Sequence, residues 1–438
     1  MDPFNAGLVS IAVIIGMVVL GVRVAYASGI AGVAGLIMLR GYDPGAGLAG
    51  LLAHSQVSHV TLSVLPMFIL IGFMAFYAGL TRSAFYAARC WLGTLPGGLA
   101  VATVFATAGF AAVSGASTAT AAVFSRVAIP EMLKYGYERS LAAGVVAAGG
   151  TLASLIPPSA ILVIYAIIVE ESVGALLLAG FIPGVLSAAI YAALIIFRCK
   201  LNPKLGAPVS AVPMAEKFRS LIGASGIFFV IFIILGGIYT GVMTPTEVGG
   251  VAAFVIFLIA LAKRNMNLAN LRESLMETAK LTVFIFTIIW SILIYVRFLG
   301  FSGLPEAFAN FVVGLDVPPL VVMILILLAY VVLGMFMDGI GMLLLTLPVV
   351  YPAVTALGYD PVWFGIIVVK MVEVCLVTPP IGLNCFVVNG VRPDIPLEDV
   401  FKGIWPFFVA DIITVAVLVA FPGIVLWLPR LMIQNITG

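Results

Sequence analysis

The chain has 438 residues, of which 63% are apolar and only 9% charged, with a formal net charge of +2 and a mean hydropathy of +1.25. A soluble fold of this length is excluded, and the long continuous apolar runs do not alternate as the strands of a lipid-facing β-barrel do. What is left is an all-α polytopic membrane protein, and the absence of any basic run argues against nucleic acid as a partner.

Apolar runs fall near 6–22, 24–39, 62–79, 98–124, 140–170, 173–197, 221–241, 246–262, 280–300, 318–356, 361–390 and 403–428. Most are long enough to cross roughly 30 Å of hydrocarbon, which gives about 10–12 transmembrane segments. Ala25-Tyr26-Ala27 imitates a signal-peptide cleavage site. However, Asp2 precedes the first run and Arg23 follows it, a charge order that predicts a retained span. His54 and His59 lie in a polar stretch and read as interfacial. Cys90, Cys199, Cys375 and Cys385 are scattered and read as small apolar residues.

Two runs are interrupted by small or polar residues: 98–124 at Ser114-Gly115-Ala116-Ser117, and 318–356 at Asp338-Gly339-Ile340-Gly341. Lys and Arg placement explains why. The loops 198–219 and 263–280 are rich in basic residues and should be cytoplasmic. Arg82 and Arg89 before the first interrupted run, and Lys134 and Arg139 after it, put both its flanks on that same side. The run should therefore enter and return as a re-entrant hairpin. The flanks of 318–356 carry Glu306, Asp316 and Asp360 but no Lys or Arg, so the second hairpin should enter from outside. The same parity places both termini in the periplasm.

After each hairpin comes an apolar run broken by a proline pair, Pro157-Pro158 and Pro379-Pro380, which stand 222 residues apart. At that offset Pro130 matches Pro352, Gly136 matches Gly358 and Tyr137 matches Tyr359. Proline removes a backbone donor and clashes with the preceding turn, so each helix should break there. Broken backbone at membrane depth is tolerated only inside protein or against a cavity, and paired broken helices point to the binding site of a secondary transporter. The expected organisation is N-terminal scaffold spans over 1–95 and a transport repeat over 96–220. In that repeat a hairpin at 98–136 precedes a broken helix at 139–170 and a span at 173–197. Further scaffold spans fill 221–316. The second repeat, over 317–438, has its hairpin at 318–357, its broken helix at 361–390 and its span at 403–428. An odd number of spans separates the hairpins, so the repeats should be inverted.

A half-helix that ends at a break leaves carbonyls without partners. With hydroxyls from a hairpin tip these make an oxygen cage suited to Na⁺. The first tip offers Ser114, Ser117, Thr118 and Thr120, facing the carbonyls of Ala153, Ile156 and Pro158. The offset gives Cys375, Thr378 and Pro380, facing Asp338 and Gly339. Asp338 could itself hold a cation. Lys370 and Glu373, three apart on one helix, read as a structural ion pair. Arg297 could clasp a carboxylate or snorkel to the interface, Arg126 is open in the same way, and Asp411 has no assigned role. The sequence has no GxxxxGK[ST], HExxH or GxSxG motif and shows no nucleophile or metal set at depth, which disfavours ATP hydrolysis by that route and an intramembrane enzyme. A proton-coupled organic-anion carrier using Asp338 or Glu373 is the alternative to sodium coupling.

Several segments then resemble a known family. PMFILIGFMAFYAGLTR (66–82), LPGGLAVATV (95–104), SGASTATAA (114–122), IPEMLKYGY (129–137), AAGGTLASLIPPS (147–159), GMFMDG (334–339) and TPPIGLN (378–384) resemble the large membrane subunit of the TRAP (tripartite ATP-independent periplasmic) transporters. The resemblance covers nearly the whole chain. It implies an elevator-type sodium symporter for a small organic acid in the bacterial inner membrane. Na⁺ would be the coupling ion, with no other cofactor. The implied partners are a small four-helix membrane subunit and a soluble periplasmic binding protein. The implied sodium cages use Ser114, Gly115, Ser117, Ala153, Ile156 and Pro158, and Asp338, Gly339, Thr378 and Pro380. Arg297, Ser117, Thr120 and Ser159 are the substrate candidates. Ala153 stands where the family often has Gly.

Overall fold

In a computed structural model the chain is described for residues 2–57, 60–335, 337, 339–380 and 382–437, without the side chains of 19, 53, 54, 56, 57, 60, 61 and 432–437. All regular structure among the described residues is helical. Among the described residues six helices are long and apolar enough to cross a membrane, and a seventh span arises if the pair Val64–Tyr77 and Leu80–Leu92, bent by 68°, counts as one. The rest of the apolar sequence is divided into shorter helices. Breaks and hairpin tips cut runs that would otherwise read as full spans.

The two repeats emerge element by element. In the first, α6 (Gly98–Ser114) and α7 (Ser117–Lys134) form a hairpin, and α8 (Arg139–Thr151) is followed by a 3₁₀ turn (Leu152–Ser154). After the break come α9 (Ala160–Val169) and α10 (Val173–Leu201). In the second, α15 (Pro319–Gly334) and α16 (Gly339–Ala356) form the hairpin. The broken helix is α17 (Pro361–Val377) with α18 (Leu383–Val391), and α19 (Leu397–Ala420) follows. The 222-residue offset carries Ser117 onto Gly339 and Arg139 onto Pro361, the first residues of the corresponding helices. Both proline pairs are joined by cis peptide bonds. The expected final span over 403–428 is instead two helices, α19 and α20 (Gly423–Thr437), because Pro422 cannot continue the hydrogen-bond ladder.

The broken helices are central and buried on every side. In α8 every residue from Leu141 to Thr151 is buried, and in α17 every residue from Trp363 to Val377. Small residues let neighbouring backbones touch: a β-carbon on Gly144 of α8 would lie 2.4 Å from the Gly403 carbonyl carbon of α19.

Around this core stand α1 (Pro3–Val19), α2 (Val24–Arg40), α3 (Tyr42–Val57), α4 (Val64–Tyr77), α5 (Leu80–Leu92), α11 (Met214–Tyr239), α12 (Pro245–Ala262), α13 (Leu268–Ser302) and α14 (Leu304–Val313). The 35 residues of α13 make a rod about 50 Å long. Helix α2 runs parallel to its second half, with Gly29, Gly32 and Gly35 packed on Ser291, Tyr295 and Phe298. Gly7 of α1 meets Ser302, and Ser10 hydrogen-bonds the Tyr295 hydroxyl at 3.0 Å. The α1–α2 turn at Gly21 to Arg23 therefore lies only halfway along α13, beside Leu281 to Ile288. The helix from the run at 6–22 thus packs along the apolar half of α13 before the chain turns back.

The basic segments gather at one end. Arg89 binds Glu131 and donates to the Tyr135 hydroxyl at 2.6 Å, while Trp91 donates to the Lys217 carbonyl at 3.2 Å. Tyr137 accepts from Leu99 N at 3.0 Å and donates to the Ala207 carbonyl at 2.9 Å, tying the hairpin root to the 198–219 loop. Asp360 lies at the root of the second hairpin and caps α17, accepting from Val362 N and Trp363 N.

Candidate ion and substrate site

The first tip closes on a break, and the second packs on the half-helix α17 ahead of its own break. Gly115 has φ +61, a left-handed conformation that favours glycine, and a β-carbon there would lie 2.2 Å from the Pro158 carbonyl oxygen. Gly339 is packed on α17, where a β-carbon would lie 2.3 Å from Val372 Cγ1. Ser117 shares a 2.6 Å hydrogen bond with Ser154 across the tip and the break. Ser114 shares one of 2.9 Å with Thr120, and Thr378 donates to the Val374 carbonyl at 2.6 Å. In both breaks the chain leaves oxygens over. Among the described residues no backbone N–H is paired with the carbonyls of Ile156, Pro158, Thr378 or Pro380.

The tips open on a cavity of about 440 Å³. Its lining contains Ser117 and Thr118 at the start of α7, Ala160 and Ile161 at the start of α9, Gly339 to Gly341 at the start of α16, and Leu383 at the start of α18. Four helix N-termini thus converge on one space. Each carries unpaired N–H groups and about half a positive charge, which favours an anion. Ser114 at the end of α6 and Leu376 near the end of α17 line the same space, and helix C-termini favour cations.

The candidate residues divide accordingly. Ser114, Gly115, Ser117 and Gly339 line the cavity. Ala153, Ile156 and Pro158 lie buried in the first break, and Thr378 is buried at the second, with Pro380 beside it exposed. Thr120 and Ser159 do not line the cavity. Thr120 donates to the Ala116 carbonyl at 2.9 Å, and Ser159 caps α9 by accepting from Leu162 N at 3.2 Å and donates to the Ser154 carbonyl. Arg297 is exposed on α13 and the cavity lining does not include it. Asp338, His59 and the His54 side chain lie outside the described residues. The four cysteines are free and buried.

Two participants escape the sequence reading. Ser154 completes the first tip-to-break contact. Arg23, at the α1–α2 turn, is the cation that lines the cavity. A lone arginine between two apolar runs was the available signal, but its depth was not legible. Arg126 instead lines a second cavity of about 350 Å³ with Tyr77, Glu273 and Glu277. That cavity shares Ile69, Ser114 and Ala116 with the first, and a third one, containing Arg82, Asn265 and Asn270, continues towards the basic end.

Residues 11–424 match the model of one family, the tripartite ATP-independent periplasmic transporter, DctM component. The chain is 34% identical over 373 residues to the C4-dicarboxylate TRAP transporter large permease protein DctM of Pseudomonas aeruginosa, covering 85% of this chain and 87% of that one. It is 32% identical over 376 residues to the sialic acid TRAP transporter large permease protein SiaM of Vibrio cholerae, covering 86% and 87%. Among solved structures the fold is similar to that of the YdaH transporter of Alcanivorax borkumensis, with a TM-score of 0.58 at 15% identity over 87% of this chain and 89% of that one.

Proposed function

Because the chain belongs to the DctM family of tripartite ATP-independent periplasmic transporters, we propose that it imports a small organic acid together with Na⁺. It is a transporter subunit and not an enzyme. The observation that carries the coupling is the mixed polarity of one cavity. Four helix N-termini and Arg23 line it and suit carboxylate, and the Ser114 and Ser117 hydroxyls, which line it too, suit Na⁺ together with the spare carbonyls of the first break behind them. A carboxylate crossing lipid alone is costly, while ion and anion bound together approach neutrality.

Relatives named for C4-dicarboxylates and sialic acid support an organic acid as the substrate. A large permease implies a small membrane counterpart, and delivery by a periplasmic binding protein follows from the family's tripartite design. The cavities that continue towards the basic end support an inward-facing conformation in a bacterial inner membrane, with both termini periplasmic. The hairpin–break cores would slide against α2, α4 and α13 as an elevator.

The test is uptake into proteoliposomes holding this chain and its small subunit, with the binding protein loaded by an organic acid. Replacing Na⁺ by K⁺ should abolish uptake. Uptake that survives unchanged in K⁺ and follows an imposed proton gradient would establish the proton-coupled carrier instead.

A further inference from the structure

The third cavity encloses about 720 Å³ at the basic end of the molecule. Its polar walls come from four places. Thr81 and Arg82 stand in the first turn of α5, and Arg126 stands on the returning arm of the first hairpin. Asn265 lies in the turn between α12 and α13, and Asn270 in the first turn of α13. Among the described residues no carboxylate lines this space.

These polar groups have donors to spare. Neither Arg82 nor Arg126 has a hydrogen bond or an ion pair among the described residues. Thr81 is 2% exposed, and its hydroxyl is buried with no hydrogen-bond partner. A buried hydroxyl left alone is costly, which fits a group that binds something in the cavity. The first N–H groups of α5 have no partner within their own helix, and a helix N-terminus favours an anion. Asn265 donates one amide N–H to the Ala78 carbonyl at 3.0 Å, and Asn270 donates one to the Asn265 carbonyl at 2.9 Å. Each amide keeps a second N–H. The same two bonds fix the α12–α13 turn against the α4–α5 bend, so the wall is built in advance. Glu273 and Glu277 line the adjoining 350 Å³ cavity with Arg126, but neither pairs with it, and Glu277 pairs with Lys280 at 2.7 Å. Two guanidiniums repel Na⁺, and each matches a carboxylate with two parallel hydrogen bonds.

We propose that this cavity is a second anion site, in which Arg126 and Arg82 hold the carboxylates of a small organic acid and Thr81 donates to one of them. Arg126 lies about 13 Å along α7 from Ser117 at the tip. The second cavity joins the two sites, since it shares Ser114 with the first and Arg126 with the third. An acid leaving the tips therefore meets Arg126 on its way to the basic end. Bound there, it bridges the hairpin and α5 and delays the return of the core. That consequence rests on the transport reading above, whereas the anion site itself does not.

Val127 lines this cavity and neither of the others, and the four native cysteines are buried. Purified Val127→Cys protein in phosphatidylcholine nanodiscs is labelled with a maleimide in K⁺ buffer. Succinate should slow the labelling, about threefold at twice its Kd, and neutral succinamide should not. Arg82→Gln and Arg126→Gln should each remove the protection, whereas Arg23→Gln should leave it intact. Both cavity arginines are exposed, so the two variants keep the fold and report independently. Equal protection by succinamide, no protection by succinate, or its survival in either cavity variant overturns the proposal, as does its loss in Arg23→Gln. Stronger protection by inorganic phosphate than by succinate, or by phosphatidylglycerol in the nanodisc without succinate, would give the site to a phosphate or a lipid headgroup instead. The labelling needs neither Na⁺ nor transport, so its failure leaves sodium-coupled uptake standing.

Discussion

Gly115 is held twice over, by a left-handed φ of +61 and by the Pro158 carbonyl against it. Alanine there costs roughly 1–2 kcal/mol in backbone strain alone, and the contact forces the tip off the break. Gly115→Ala should therefore keep a folded protein with a modestly lower melting temperature but lose most sodium-dependent uptake. A thermal-shift measurement beside the uptake assay checks both halves. Arg23 makes a second residue-level case. Guanidinium matches a carboxylate with two parallel hydrogen bonds where an ammonium cannot. Arg23→Lys should raise the substrate concentration needed for half-maximal uptake about tenfold, the equivalent of about 1.4 kcal/mol, and Arg297→Lys should change it little. A larger loss from Arg297→Lys than from Arg23→Lys would return the anion site to the outer part of α13.

At the scale of elements, the hairpins are antiparallel helix pairs whose roots are pinned, the first tip meeting a backbone break and the second packing on α17. Tyr137 pins the first root through Leu99 and Ala207, and Asp360 stands at the second. The turns at Gly136 and Gly358 both have positive φ and face open space. Cysteine placed at Gly136 should react with an impermeant maleimide from the cytoplasmic side, and cysteine at Gly358 from the periplasmic side. Reaction of both from one side would contradict inverted repeats. Elements also show what periodicity misses. The Pro422 break was not foreseen as a helix end, because apolar residues continue on both sides of it.

For the whole molecule, the seam between scaffold and core decides whether one slides on the other. Gly72 of α4 is pressed on the first tip, and a β-carbon there would lie 2.9 Å from Ser114 Cα. A side chain at this seam would have to pass Ser114 and its neighbours during an elevator movement. Gly72→Leu should slow uptake at least tenfold while substrate protection of an engineered cavity cysteine persists. Normal turnover in Gly72→Leu would mean that this seam does not move.

The sequence by itself determined the class, the inverted repeat and the tip-and-break residues, since these follow from local chemistry. Proline cannot donate, apolar runs seek lipid, and lysine and arginine stay on one side. Ser114, Ser117 and the two proline pairs were legible for that reason. Only the tertiary structure decided depth and company. The run at 6–22 has the length of a span, and the packing of α1 and α2 on α13 sets where its end lies and carries Arg23 to the cavity. Lys370 and Asp411 stand 41 residues apart in sequence and meet only because α17 and α19 pack side by side. Thr120 and Ser159 stand near the first tip and break, but only the structure shows that their hydroxyls donate to nearby carbonyls and do not line the cavity. Hydropathy fixes which segments are buried, and neighbouring helices fix what each buried polar atom faces.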